Sequence, residues 1–187
     1  MMKVFLLYLV LLASLLTGCT STQSHSVDEK RAMVNVMEQT TLTKLFKQKP
    51  DVRQQVKHAA GYAVFDSANV NVILASFGGG YGVVVNNQTN NKTYMNMAEA
   101  GLGLGIGAKD FNIVMVFHTQ AALAKFIGQG WTFGGNVDAA AKHKQQGKAV
   151  SAEAIIDDVT VYSLTDTGLA LQAVLKGTKF WIDDEMN

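Results

Sequence analysis

The chain has a single cysteine and a single proline. One cysteine leaves no disulfide within the chain and no thiol pair for redox chemistry. Charge of one sign is also missing. Sixteen Lys and Arg against fifteen Asp and Glu give a formal net charge of +1, so the basic surplus of a nucleic-acid binder is absent. The four histidines, His25, His58, His118 and His143, form neither HxxxH nor HExxH, which removes the usual zinc patterns. There is no GxSxG elbow and no GxxxxGK phosphate loop, so the common nucleophile and nucleotide sites are excluded. Asp157-Asp158 and Asp183-Asp184 are paired carboxylates. Neighbours on a strand point to opposite faces, and acid–base work needs two different environments, so solvated charge is the expectation for both pairs. The expectation is a non-enzymatic chain with no cofactor and no metal.

What is present begins at the N-terminus. MMKVFLLYLVLLASLLTG, residues 1–18, has one charge, Lys3, ahead of an apolar run. That is the pattern of a signal peptide, too short to favour a permanent span. Leu16-Thr17-Gly18-Cys19 resembles a bacterial lipobox, which makes Cys19 the expected lipidation site and new N-terminus. Several acyl chains on one residue anchor stably where one chain does not. The lipoprotein resemblance, with Thr20 rather than Asp after the cysteine, implies the outer membrane, facing the periplasm. Residues 19–26 then form the lipidated cysteine and a polar linker. Its seven residues from Thr20 reach at most roughly 25 Å, so the domain at 27–187 is expected beside the bilayer.

The fold class expected is α+β: N-terminal helices packed on a glycine-rich, mainly antiparallel sheet or a partly closed barrel. Ser26 with Glu29 matches a capping box and predicts a helix over Val27–Lys47, opened by acidic and closed by basic residues. Met33, Val36 and Met37 share one side, and are expected to cover the sheet as a set. Leu42, Leu45 and Phe46 share nearly the opposite side. A second short helix is predicted over Asp51–His58. From Gly61 the period changes to that of strands: Gly61–Phe65, Val70–Phe77, a bend or bulge allowed at Gly78-Gly79-Gly80, and Tyr81–Val85. NNQTNNK, residues 86–92, is a hairpin loop. Its Asn87-Gln88-Thr89 matches a glycosylation sequon by chance composition. Thr93–Met97 pairs back across that loop.

Seventeen glycines are a surplus, and four of them alternate in AGLGLGIGAKDF. Period 2 predicts a strand, Ala100–Ala108, with Gly101, Gly103, Gly105 and Gly107 on one face. A dinucleotide fingerprint would need a glycine turn before a helix, whereas here a turn at Lys109-Asp110 and a buried strand, Phe111–Phe117, follow. Thr119 caps a helix through Phe126, slim enough in Ala121, Ala122 and Ala124 to pack on the glycine strand. Gly128 and Gly130 end it. Trp131–Ala141 starts extended, and Lys142–Ser151 is a loop. Ile155–Leu164 and Leu169–Val174 make a hairpin, and Phe180–Ile182 a last strand before an acidic tail.

Four motifs in order resemble one family. They are Ala60-Gly61-Tyr62-Ala63-Val64-Phe65, Gly80-Tyr81-Gly82-Val83-Val84-Val85, Gly101–Ala108 before Asp110-Phe111, and Phe126 with Gly130, Gly134 and Gly135. Their order is similar to that of SYLF domains, from about Asp28 to the C-terminus. The resemblance implies a membrane module that binds anionic lipids, phosphoinositides in eukaryotes, in part through an N-terminal helix. On this chain it implies Lys30, Arg31, Met33, Val34, Met37, Lys44 and Lys47 as lipid-binding candidates. Gly61, Gly80, Gly82, Gly101, Gly103, Gly105, Gly107, Gly130, Gly134 and Gly135 become structural glycines. It also implies actin association in some members. Asp28 and Glu29 stand where a basic cluster would serve that, and a periplasmic chain does not meet actin. Membrane phospholipid is the expected partner. The alternative is a structural or protein-interaction lipoprotein with an envelope protein partner and no lipid contact beyond its anchor.

Overall fold

The computed structural model describes residues 25–72, 75–102, 107–130, 132–133, 153–156, 158–165, 168–169 and 177–187. Cys19 and the signal segment lie outside the described residues, as do Gly103, Gly105, Gly134, Gly135 and the polar stretch Lys142–Ser151. Helix α1 spans Val27–Gln48 and α2 spans Val52–His58. The capping box forms: Ser26 Oγ accepts from the Glu29 amide at 3.3 Å, and the Glu29 carboxylate accepts from the Ser26 amide at 2.7 Å. Two orphan amides are thereby satisfied.

Strands β1 (Gly61–Val72), β2 (Ala75–Asn86), β3 (Lys92–Leu102) and β4 (Gly107–Phe117) follow. Helix α3 (Gln120–Gln129) comes next. Then come β5 (Thr132–Phe133), β6 (Glu153–Ile156), β7 (Val159–Thr165), β8 (Gly168–Leu169) and β9 (Gly177–Ile182). The strands form one antiparallel sheet in the order β5-β9-β3-β2-β1-β4-β7-β6, with β8 also on β7. The α+β class holds. Among the described residues the order is a path and not a ring, so the sheet is open and not a partly closed barrel. Its centre, β4-β1-β2-β3, is a Greek key.

That topology corrects five expectations. Val70–Phe77 is not one strand: Val70–Val72 ends β1 and Ala75–Phe77 opens β2, paired antiparallel. Ala100–Ala108 is not one strand. Ala100–Leu102 ends β3 opposite Ala75, and Gly107 opens β4 opposite Asn71, on the other side of the β1–β2 hairpin. Period 2 marks extended chain but says nothing about which neighbour it joins. Gly78-Gly79-Gly80 makes no bulge and does not interrupt the strand. β2 continues through, pairing these glycines one for one with Asn69, Ala68 and Ser67, because partners on both sides outweigh glycine's weak strand preference. Lys109-Asp110 lies inside β4 and does not turn. Ile155–Leu164 is two strands, reversed next to Asp158, whose φ of 63° suits a tight turn.

The sheet is the middle of three layers. On one face α3 sets Leu123 and Phe126 against Phe65, Phe117 and Phe180, with ring centroids 4.7 to 6.2 Å apart. Thr119 caps this helix, and Gly130, with φ of 61°, closes it. Leu123 presses on Gly61, where a Cβ would come within 2.8 Å of its methyl. The alanine helix therefore packs at the Gly61–Phe117 end and not on the Ala100–Ala108 stretch, where it was expected. On the other face α1 and α2 cover Val64, Val114, Val116 and Tyr162 with Leu45, Val52 and Val56, and Val34 covers Val83, Val85 and Tyr94. Each such fully buried apolar side chain contributes about 1.5–3 kcal/mol.

Candidate functional site

Helix α1 buries a face that apolar spacing does not mark. Val34, Glu38, Thr41 and Leu45 point at the sheet. Two of these are polar. Glu38 is acceptable there because Lys92 Nζ lies 2.6 Å from one oxygen and the Tyr62 hydroxyl donates to the other at 2.6 Å. With that face turned inward, Met33 is 50% and Val36 65% exposed. Met37 stays half-buried against the core. The set Met33, Val36 and Met37 thus does not cover the sheet.

The lipid-binding candidates separate accordingly. Val34 is 2% exposed and belongs to the core, so it is not available to lipid. Lys30 pairs with Glu185 at 2.7 Å. Arg31 donates through Nε to the Met186 carbonyl at 2.9 Å and lies 5.8 Å from the Tyr94 ring centre. Both hold the C-terminal tail. Lys44 and Lys47 are exposed. The tail is not merely solvated acid either. Asp183 Oδ1 accepts from the Glu185 and Met186 amides. Asn187 continues the ladder past β9, accepting from the Tyr94 amide at 3.0 Å and donating to its carbonyl at 2.8 Å.

Beside the exposed flank of α1 runs a groove of about 610 Å³. Met33, Val36, Thr40 and Lys44 form one wall, and Asp66, Tyr81, Asp110 and Asn112 lie on the strand side. The register explains the convergence. Asp66 pairs with both Tyr81 and Asn112, and Asp110 is two residues from Asn112 on the same face. Asn112 donates to Asp66 Oδ1 at 2.8 Å. Burial, then the charge of Asp110, pushes the Asp66 carboxyl above its ordinary range, against the Asn112 hydrogen bond and the Lys44 charge. Burial, then the Asp66 charge, raises the Tyr81 hydroxyl. Asp66, Tyr81 and Asp110 were not singled out by sequence. The available signal was their alternation along strands whose neighbours were unknown.

Among the described residues no three of His, Cys, Asp and Glu group to hold a metal ion. No helix there is long and apolar enough to cross a membrane. His118 is exposed, with Nε2 2.7 Å from Thr160 Oγ1. Gly80 and Gly82 are sites of close approach. A Cβ at Gly80 would fall on the Asp66 carbonyl oxygen, and one at Gly82 on the Val64 carbonyl oxygen and the Phe65 ring.

Comparison with known proteins agrees with the sequence motifs. The family described as Ysc84, Las17-binding protein actin regulator, matches residues 98–187. The matched stretch starts inside β3 and leaves out α1. Beta cell expansion factor A of Aeromonas veronii is 35% identical over 158 residues, 84% of this chain and 59% of that protein. The chain therefore spans less than two thirds of that curated relative's length. Through residues 98–187 the chain matches the Ysc84/SYLF family, and its likeness to the Aeromonas relative extends over most of this chain.

Proposed function

We propose that this chain is a non-catalytic, lipid-binding module of the bacterial envelope, anchored through lipidated Cys19 on the periplasmic side of the outer membrane. The observation that carries the reading is the exposed flank of α1. Met33 and Val36 stand out from the helix with Lys44 and Lys47 exposed further along it. Apolar side chains with nearby cations suit the boundary between acyl chains and anionic head groups. The resemblance to SYLF domains supports lipid as the partner class, with a bacterial anionic phospholipid in place of phosphoinositide. Lys30 and Arg31 hold the tail, so the head-group role passes to Lys44 and Lys47.

The test is co-sedimentation of the full chain, carrying Cys19→Ser, with phosphatidylglycerol vesicles at low salt. Met33→Asp with Val36→Asp should weaken binding by about tenfold or more. Binding should also fall as salt rises and screens the lysines. No binding at low salt would sink the reading.

The groove favours one second reading. Among the described residues its strand side carries Asp66 and Asp110 with the cation Lys44 opposite, which suits a basic side chain of a protein partner better than a phosphate. Crosslinking in intact cells from a residue beside the groove, such as Thr40→Cys, would recover a defined protein if this reading holds. Recovery of lipid alone would end it.

A further inference from the structure

The end of the sheet farthest from α2 and α3 is built without charge. β1 and β2 are paired from Gly61–Asn86 out to Val72–Ala75. The sequence has no Asp, Glu, Lys or Arg from Ser67 to Asn91, and none from Ala100 to Ala108. The register brings these stretches together. β3 runs out to Leu102 beside Ala75, and β4 starts at Gly107 beside Asn71. Four adjacent strands thus end at one edge of the sheet with no charged residue in their last positions.

Side chains near this end are exposed and apolar. Val70 and Phe77 are directly paired and 55% and 61% exposed. Along the same two strands, Val64 and Val83 are fully buried beneath α1. Six residues at about 3.3 Å each put Val70 roughly 20 Å beyond Val64, clear of the helix. A strand end meeting water ordinarily carries charges.

We infer that this end, with Val70 and Phe77 leading, inserts into the lipid bilayer. The inference rests on the lipid-binding reading above and adds to the α1 flank a second part of the molecule that enters the acyl region. Two features select lipid over a protein partner. Backbone in lipid must be hydrogen-bonded internally, and here β1 and β2 each have a strand on both sides nearly to their ends. The tether also has the needed reach. Residues 20–26 extend up to roughly 25 Å from a lipidated Cys19, comparable with the span from the α1-covered sheet to the hairpin end. An interfacial insertion of about 5–10 Å would take in Val70 and Phe77 and leave Asp66 and Asp110 in water.

The test places a polarity-sensitive dye on a single cysteine in the full chain carrying Cys19→Ser. The positions are Phe77→Cys, Val70→Cys and, in the loop at the opposite end of the hairpin, Gln88→Cys. Vesicles of phosphatidylethanolamine and phosphatidylglycerol carry a nitroxide quencher in the acyl chains. Dye at 70 and 77 should be quenched at least about threefold on binding, and dye at 88 scarcely at all, as expected for insertion to that depth. Unquenched dye at 77 on chain that pellets with the vesicles would overturn this inference and leave the lipid-binding reading intact. Failure to pellet would overturn both. Shielding at 77 without vesicles, growing with protein concentration, would assign the surface to a second copy and also overturn it. The unlabelled pair Val70→Asp with Phe77→Asp should lose vesicle binding while unfolding at the same temperature as the parent. Unchanged binding by that folded variant would likewise count against insertion.

Discussion

Lys92 Nζ stands 2.6 Å from Glu38 Oε2, joining the start of β3 to the buried side of α1. The Glu38 side chain is 6% exposed and that of Lys92 35%. Removing the lysine would leave a buried carboxylate with the Tyr62 hydroxyl as its remaining strand partner. Lys92→Ala is therefore expected to destabilise the chain by about 1–3 kcal/mol, less than for a fully buried pair because Lys92 is partly solvated. Adding Glu38→Gln should recover part of the loss. Urea unfolding midpoints check both. An unchanged midpoint for Lys92→Ala would mean this pair does not hold α1 to the sheet.

Gly80 and Gly82 are expected to tolerate no side chain. A Cβ at either position meets a carbonyl oxygen of β1, which cannot move without breaking the ladder. Gly80→Ala and Gly82→Ala should each cost more than about 2 kcal/mol. Gly128, inside α3 with open space around it, is the control. Gly128→Ala should stabilise by up to about 1 kcal/mol. Thermal unfolding of the three variants gives the order directly.

Asp66 makes stability depend on pH. Its carboxyl is raised by burial and then by Asp110. A raised acid favours the folded state when protonated. Its contribution is complete below the ordinary value of 3.8 and is lost as pH climbs through the raised value. Ionised Asp66 is thus a cost at neutral pH. Asp66→Asn should be more stable than the parent at about pH 7 and lose that advantage by about pH 3. Asp110→Asn should lower the Asp66 midpoint, and Lys44→Ala should raise it. Side-chain NMR titration reads these shifts, and an Asp66 midpoint at the ordinary value would refute the account.

The C-terminal tail is expected to matter through Met186 more than through its charges. Met186 is buried with Val34, Val83, Val85 and Tyr94. Met186→Ala should cost about 2–4 kcal/mol. Glu185→Ala removes an exposed pair with Lys30 and should cost under about 1 kcal/mol. Denaturant unfolding separates the two, and equal losses would argue against this division.

Local signals were legible in the sequence. The Ser26–Glu29 box, Thr119, Gly130 and the 86–92 loop each act within a few residues, and the structure has a helix end or turn at each. The groove was not legible. Asp66, Tyr81 and Asn112 meet because β2 and β4 flank β1, and strand order is a matter of partners distant in sequence. The inward face of α1 was misread for a related reason. Glu38 turns inward because Lys92 and Tyr62 wait there, and that leaves Met33 and Val36 outside.

By itself the sequence determined an α+β chain of antiparallel strands with α1 capped at Ser26, because periodicity and caps depend on neighbours along the chain. The AGLGLGIGA stretch shows where that stops. Its alternation announced extended backbone and its lack of charge was plain to read. Only the tertiary structure decided that its two ends belong to β3 and β4, on opposite sides of the β1–β2 hairpin, and that the uncharged strand ends gather at one edge. Hydrogen-bonded pairing between distant segments sets that arrangement, and no local property of the residues encodes it.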